Sequence, residues 1–248
     1  MKKFIASLII SFAVLLPAIA QKNSTADKTK IIQEQAGRPD VPGDLFIEVG
    51  FNYLKDNDEW KYNFWGSKLL NLYYQYDYNI GDSRFSIHPG IGVATDKYDM
   101  SDETLFYADS AGIRVMKVGE VDSLISGSYD IRKSKLSTAY LEIPLELRWR
   151  SMKYDPKKSL KISVGGKIGF LLDSKTKLKY GADGEKKITK QKEDWAVRNI
   201  RYSVYGKVGY GNAYLFYNYN LSTLFDKNKG PNQTEMTPMT FGFALSLF

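Results

Sequence analysis

Residues 140–149 alternate strictly between apolar and polar side chains. The apolar ones occupy every second position, namely Leu141, Ile143, Leu145, Leu147 and Trp149, and the positions between them hold Glu142, Pro144, Glu146 and Arg148. A period of two is typical of a β-strand with two different faces. Three charges on the polar face are unusual for a strand that covers a soluble core. The pattern instead indicates a wall between lipid and a polar interior.

The same alternation recurs along most of the chain. After Gly43 it predicts eight strands, at about 44–54, 66–80, 84–96, a fourth that ends with 140–149 and starts near 135 or earlier, 159–173, 199–210, 212–222 and 237–248. The connections between them are alternately long and short, as are the outer loops and periplasmic turns of outer-membrane barrels. We therefore predict an all-β fold, an eight-stranded antiparallel transmembrane up-and-down β-barrel with short periplasmic turns and long outer loops. A soluble β-sandwich has no reason to keep this order of connection lengths.

The first residues resemble an export signal. Lys2 and Lys3 precede a mostly apolar run from Phe4 to Leu16, and Ala18-Ile19-Ala20 follows. A basic start, a short apolar run and a small-residue site are typical of a cleaved signal peptide, and the run is too short to span a bilayer as a helix. A buried N-terminal helix is the alternative. The predicted organisation is a signal over 1–20, a polar periplasmic linker over 21–43 and a barrel domain over 44–248.

The composition limits the chemistry and the partners. The chain has no cysteine, so disulfides, thiol chemistry and a lipid-modified N-terminal cysteine are excluded. Its formal charge is +7, which on its own would suggest nucleic acid. Export argues against a nucleic-acid partner. Anionic outer-membrane lipid, including lipopolysaccharide, or an acidic partner fits the charge better.

The polar face of the predicted wall carries charges of both signs. The predicted lumen charge network consists of Glu48, Asp77, Glu142, Glu146, Arg148, Lys167, Arg201 and Lys207. Eight strands enclose a lumen just wide enough for side chains, and buried opposite charges should pair. We expect Glu142, Glu146 and Arg148 to face Lys167, Arg201 and Lys207 in a plug without an open pore. The alternative is an ion or solute path along these charges.

Two residues of the predicted interior need separate mention. Pro144 points inward at the loss of one ladder hydrogen bond, which predicts a local bulge or kink. His88 is the only histidine and lies near the periplasmic end of its strand, away from the outer rim where lipid-modifying barrels place their catalytic groups. We expect it to be hydrogen-bonded inside the lumen. No catalytic, cofactor or metal site is predicted, and one histidine without cysteine argues against structural zinc.

The outer loops are the predicted places for specific binding. Residues 173–198 form a basic outer loop with Lys175, Lys177, Lys179, Lys186, Lys187, Lys190 and Lys192. Such a loop would contact lipopolysaccharide phosphates or an acidic partner, or would simply be solvated. The 97–134 connection is long enough to hold a hairpin with Ile113–Val118 as one arm. Ser110 and Ser123 lie in tripeptides that resemble a bacterial O-glycosylation motif.

The last predicted strand resembles a barrel-assembly signal. Its pattern consists of Thr240, Gly242, Leu245, Leu247 and the final aromatic Phe248. This pattern is similar to the C-terminal strand that outer-membrane assembly machinery recognises. The expected transient partner is therefore the barrel-assembly machinery. An apolar edge strand is the alternative interpretation.

Four segments resemble one known family. Residues 140–148 are similar to the Tyr-Leu-Glu-Ile-Pro strand of PorT-type outer-membrane β-barrels, residues 164–172 to the glycine-rich strand that follows it, residues 239–248 to the closing strand and, more loosely, residues 84–92 to the third strand. The resemblance implies a small barrel, broadly like OmpA or OmpW in form. Some members of that family serve type IX secretion and gliding. The resemblance provides no catalytic residue to transfer to this chain.

These features favour a non-enzymatic integral outer-membrane protein with both termini in the periplasm. Its expected role is that of a structural or accessory subunit that docks on other outer-membrane proteins or lipoproteins in a larger complex for secretion, assembly or uptake. The alternative is a narrow channel or an OmpW-like carrier of small solutes, which an open lumen between inward glycines would favour. A lipid-modifying enzyme would need a nucleophile–base pair that the sequence does not reveal.

Overall fold

A computed structural model describes residues 43–56, 62–100, 104–109, 112–117, 130–152, 158–182, 185–191, 195–230 and 235–247. The predicted signal peptide and almost all of the predicted linker lie outside these described residues. Ser110, Ser123, Lys192 and Phe248 also lie outside them, so the predictions for these four residues stay predictions.

The described chain consists of twelve β-strands and one short 3-10 turn at Phe64–Gly66. The strands are β1 Asp44–Lys55, β2 Lys68–Gln75, β3 Tyr78–Asn79, β4 Phe85–Met100, β5 Thr104–Asp109, β6 Gly112–Lys117, β7 Asp130–Arg150, β8 Leu160–Ala182, β9 Glu185–Gln191, β10 Ile200–Tyr210, β11 Ala213–Asn220 and β12 Thr237–Ser246. No helix in the described part of the chain is long and apolar enough to cross a membrane.

Within the described residues, eight of these strands close a single antiparallel barrel in the order β1-β2-β4-β7-β8-β10-β11-β12. β12 returns to pair with β1 from Phe46↔Ser246 to Lys55↔Thr237, which closes the ring. The short β3 continues the line of β2 along β4. This arrangement confirms the predicted eight-stranded antiparallel barrel. The prediction was possible because the alternation within each strand and the alternating connection lengths together specify this topology.

The two ends of the barrel differ in their connections. At one end, which we call the turn end, the connections are residues 80–84, 151–159 and 211–212. At the other, which we call the loop end, residues 56–67, 101–129, 192–199 and 221–236 connect or extend the wall. β1 begins and β12 ends at the turn end. The predicted hairpin in the 97–134 connection is present as β5 and β6.

Two wall strands are longer than the sequence alternation predicted. β7 begins at Asp130, and β8 continues to Ala182 and turns into β9. Residues 174–191 are therefore mostly a hairpin and not the predicted loop. Beyond Asp173 the alternation resumes with its phase shifted by one residue, because Leu172 is an extra residue opposite the step from Ala139 to Tyr140. Ser174 and Thr176 are buried there, and lysines replace the apolar residues of the other face.

The barrel has an apolar outside and a polar inside. Outward side chains along the wall are large, apolar and exposed, for example Val164 at 59%, Leu215 at 59% and Phe243 at 65%. Inward side chains at the alternate positions include fully buried Glu48 and Glu146. This inversion is stable only where lipid covers the outer wall.

Pro144 interrupts the β4–β7 ladder, as the predicted loss of a ladder hydrogen bond implies, and no register shift accompanies the interruption. The β4–β7 ladder steps from Pro89↔Leu145 to Gly92↔Glu142, so Gly90 and Pro144 lie in an unpaired gap. Proline has no N–H to donate to the ladder. A side chain on Gly90 would meet the Pro144 ring at 3.1 Å, and glycine therefore leaves room for it. The two register shifts of the β7–β8 ladder lie elsewhere, between Ile131 and Lys133 and between Ala139 and Tyr140.

Candidate functional site

The middle of the lumen holds a buried ion cluster around Glu48. The Glu48 carboxylate is 0% exposed and lies 3.3 Å from the Lys167 ammonium and 2.9 Å from the Lys207 ammonium. The Asn71 amide donates a hydrogen bond to it at 3.1 Å. Lys207 also lies 3.4 Å from Glu146. Each ammonium thus contacts a buried carboxylate, as buried charges require.

A second ion cluster lies toward the loop end and is organised by Arg201. The guanidinium contacts Glu142 at 2.7 Å and Asp96 at 2.6 Å, and it stacks over the Tyr140 ring at 3.9 Å. The Tyr73 hydroxyl donates a hydrogen bond to the Glu142 carboxylate. Arginine suits this position because its planar fork serves two carboxylates and an aromatic face at once.

Arg148 occupies the lumen on the turn-end side. Its guanidinium donates to Glu146 at 2.6 and 2.9 Å and lies over the edge-to-face pair of Phe46 and Tyr214, 5.2 and 5.5 Å from the two ring centres. Tyr205 donates a hydrogen bond to the other Glu146 oxygen at 3.1 Å. Cation–π contacts add to the ion pair because these groups are desolvated.

The structure brings together most of the predicted lumen network and adds members to it. The predicted residues in the connected clusters are Glu48, Glu142, Glu146, Arg148, Lys167, Arg201 and Lys207. Asp77 lies apart at the turn end, where it pairs with Arg150. Asp96 was missed, although it continues the inward alternation of the third predicted strand by one step. The inward tyrosines were also missed as partners of the ions.

His88 lies in a polar cluster at the turn end. Its ring is 0% exposed, and Nε2 lies 2.8 Å from the Ser86 hydroxyl and 3.5 Å from an Asp77 oxygen. Arg150 donates to both Asp77 and Ser86. Ser86 and His88 meet because residues two apart on a strand share a face, which was the signal available in the sequence.

This serine, histidine and aspartate do not form a catalytic triad. In a triad the nucleophile and the orienting carboxylate bind opposite nitrogens of the imidazole. Here Ser86 and Asp77 both approach Nε2, and Nδ1 is buried without a hydrogen-bond partner. Ser86 is 1% exposed and therefore closed to a substrate. No group of three or more metal-ligating residues occurs among the described side chains.

The inward glycines do not leave an open lumen. A side chain at Gly165 would meet the Tyr205 ring at 2.8 Å, and one at Gly169 would meet Arg201 at 2.9 Å and Glu142 at 3.2 Å. The space beside Gly92 is likewise filled by the Tyr73 ring. These glycines therefore make room for large side chains that lie directly opposite them on the neighbouring strand, and the ion clusters extend across the space that they free.

An apolar cluster, which we call the apolar cap, fills the lumen at the loop end. Its buried members are Leu54, Tyr98, Met100, Leu136, Tyr140, Trp195, Val197, Leu224, Phe225 and Met236. Half of them come from the inward face of wall strands. The others come from two connections, residues 192–199 before β10 and residues 221–236 after β11. The sequence did not predict the burial of these five residues because connections lack a periodic pattern.

Backbone hydrogen bonds tie the two connections of the apolar cap together. Arg198 N donates to Leu224 O at 3.0 Å, and Asp226 N donates to Ala196 O at 2.8 Å. The Tyr140 hydroxyl fixes the first connection to the wall by donating to Arg198 O at 2.8 Å. Trp195 is 1% exposed beneath them. The loop end is therefore closed by backbone and apolar side chains together.

The predicted basic loop is a basic hairpin. Lys175, Lys177 and Lys179 lie on β8, and the register places Lys186, Lys187 and Lys190 on β9 opposite Gly181, Tyr180 and Lys177. In the predicted assembly signal, Thr240 is buried and faces the lumen, Gly242 pairs with Gly50, and Leu245 and Leu247 are exposed on the outer wall. The assembly role of these residues stays a prediction.

Comparison with known proteins agrees with this architecture. A family model described as an outer membrane protein beta-barrel domain matches residues 45–226. No curated protein sequence matches the chain. Among solved structures, the chain is similar to Ail, the attachment invasion locus protein of Yersinia pestis, in complex with the heparin analogue sucrose octasulfate, with 12% identity over 84% of this chain and 100% of that one and a TM-score of 0.31. A mutant Rh. blastica porin matches with 10% identity over 83% and 99% of the two chains and a TM-score of 0.18. At these scores neither similarity carries an argument.

Proposed function

Since the chain belongs to the outer membrane protein beta-barrel domain family and forms an outer-membrane β-barrel, we propose that it is a non-conducting, non-enzymatic scaffold that docks other proteins of an outer-membrane complex. The observation that carries this proposal is the filling of the lumen at three levels: the Arg148 cluster, the two central ion clusters and the apolar cap. A barrel filled in this way offers its wall and its long connections to partners.

The same observation argues against a channel or carrier. A hydrated path needs polar groups that are free to exchange partners with water or a solute. Glu48, Glu142 and Glu146 instead contact two cations each. Breaking one such contact leaves a buried charge with fewer partners, which is costly. The lumen is therefore best suited to holding the wall rigid.

We further propose that the turn end faces the periplasm, with both termini there, and that the loop end faces outward. Short turns on the periplasmic side are the rule for such barrels. The resemblance of residues 140–148 to PorT-type barrels supports a complex of the type IX secretion or gliding class as the setting. The β5–β6 hairpin and the connections at the loop end are the parts that would contact partners.

Conductance and co-purification test the scaffold proposal. The protein, reconstituted in planar bilayers after its folding is checked by a heat-dependent shift on a denaturing gel, should show no steady single-channel openings. Purification in a gentle detergent should recover it with other outer-membrane proteins. Steady openings would contradict the filled lumen, and a monomer that co-purifies with nothing would contradict the docking role.

Single cysteines test the orientation, because the chain has none of its own. Lys179→Cys at the loop end should react with a membrane-impermeant maleimide in intact cells. The matched variant Ser83→Cys, in the exposed turn before β4, should react only after the outer membrane is opened. The reverse labelling pattern would invert the proposed orientation.

A further inference from the structure

The β7–β8–β9 sheet at the loop end carries lysines in direct cross-strand register. Lys135 on β7 lies opposite Lys177 on β8, and Lys177 lies opposite position 190 on β9, another lysine. One step farther from the barrel, position 133 on β7, also a lysine, lies opposite Lys179. We call Lys135, Lys175, Lys177 and Lys179 the lysine ladder.

The ladder continues the outward face of the barrel wall. On β8 the exposed apolar residues Ile168, Phe170 and Leu172 precede it, with Leu172 at 56% exposure. Lys175 follows three residues later, which is about 10 Å along a strand. Ser174 and Thr176, on the opposite face, are buried. The outer surface therefore changes from apolar to basic just beyond the lipid-covered band.

Within the described part of the chain, carboxylates lie beside two of the four ladder lysines. Lys175 lies 3.3 Å from Asp173, and Lys135 lies 3.5 Å from Asp99. Among the side chains that the structure describes, no carboxylate lies within ion-pair distance of Lys177 or Lys179. Like charges directly opposite one another destabilise a sheet pair. An external anion that bridges neighbouring ammonium groups would remove this repulsion.

We propose that the lysine ladder binds the phosphate groups of anionic outer-leaflet glycolipid. Directly opposite side chains lie about 5 Å apart, a spacing at which the oxygens of one phosphate reach two ammonium groups. The headgroup layer also begins where the apolar band ends, which is where the ladder lies. An acidic protein would more naturally meet the tips of the connections than a face continuous with the lipid-covered wall. This proposal rests on the outward orientation of the loop end proposed above.

Binding of purified lipid A to the folded, full-length protein in dodecylmaltoside micelles tests the ladder. Lys177→Gln/Lys179→Gln should weaken the binding of diphosphoryl lipid A by about 10- to 30-fold, because each lysine near anionic lipid adds a several-fold attraction. Dephosphorylated lipid A should bind both proteins weakly and equally. Added salt should weaken diphosphoryl lipid A binding to the unchanged protein more than to the variant.

The matched control is Lys227→Gln/Lys229→Gln, which removes two exposed lysines from the connection between β11 and β12 and leaves the net charge equal to that of the ladder variant. It should keep the affinity of the unchanged protein. Equal affinity in all three proteins, or equal loss in both variants, would overturn the proposal. Polyglutamate serves as a second probe, in place of an acidic protein. The proposal would also be overturned if the ladder variant lost polyglutamate binding but kept its affinity for lipid A, because the ladder would then fit an acidic protein partner.

These results are separable from failure of the scaffold proposal. A detergent micelle does not separate two compartments, so the binding of lipid A to the protein in micelles depends neither on the orientation of the barrel nor on its conductance. Cysteine labelling that places Lys179 in the periplasm would overturn the outer leaflet as the source of the phosphate even if lipid A binds. Steady channel openings would overturn the scaffold and leave the ladder result intact.

Discussion

Replacing Glu48 with alanine should lower the free energy of unfolding by about 3–5 kcal/mol, since removing one partner of a buried ion pair leaves uncompensated charge behind. The side chain is 0% exposed and contacts both Lys167 and Lys207. Lys207 would retain Glu146 at 3.4 Å, and Lys167 would retain Glu142 only at 4.0 Å. Urea-induced unfolding in detergent micelles, followed by tryptophan fluorescence, measures the loss.

Two controls separate the buried pair from a general effect of charge. Lys175→Ala removes a cation that is 52% exposed beside Asp173, and an exposed pair of this kind contributes only about 0–1 kcal/mol. Glu48→Met/Lys207→Met replaces both charges with apolar side chains and should recover much of the stability lost by Glu48→Ala. A loss below about 1 kcal/mol in Glu48→Ala would mean that water reaches the cluster and that the lumen is not sealed.

The sequence predicted the barrel wall well because each wall residue faces one of two very different environments. Along 140–149 every second side chain contacts lipid and the others contact the lumen, so the alternation is a direct record of the structure. The alternation of the third predicted strand, about 84–96, also places Asp96 in the lumen, although the predicted charge network did not include it. It also brought Ser86 and His88 onto one face, but could not show that both Asp77 and Ser86 meet the same imidazole nitrogen.

The apolar cap, the basic hairpin and the cross-strand register were not predicted, because no such alternation in the sequence indicates them. The apolar cap takes Trp195 and Phe225 from connections whose sequences have no periodicity, and their burial depends on which connections meet across the barrel. The basic hairpin was predicted as a loop because lysines replace the apolar residues where the strand leaves the lipid-covered band. Cross-strand register, which decides that Lys135 lies opposite Lys177, is set by the whole barrel and not by any local segment.

Replacing Trp195 with alanine should lower the free energy of opening the apolar cap by about 3–5 kcal/mol, the usual cost of deleting a buried aromatic side chain. Trp195 is 1% exposed, whereas Trp65, the matched control, is 72% exposed. Hydrogen exchange of the Arg198 and Asp226 amides, which hold the two connections together, should therefore accelerate about 100-fold or more in Trp195→Ala and little in Trp65→Ala. Unchanged exchange would contradict the cap.

The conductance of Trp195→Ala then separates the cap from the ion clusters. Opening the loop end still leaves Arg201 bound to Glu142 and Asp96, and Lys207 bound to Glu48. These contacts lie deeper in the lumen and do not depend on Trp195. The variant should therefore remain non-conducting in planar bilayers although its connections open more often. Steady openings in Trp195→Ala would mean that the cap alone seals the barrel, and that the central charges line a path that the cap closes.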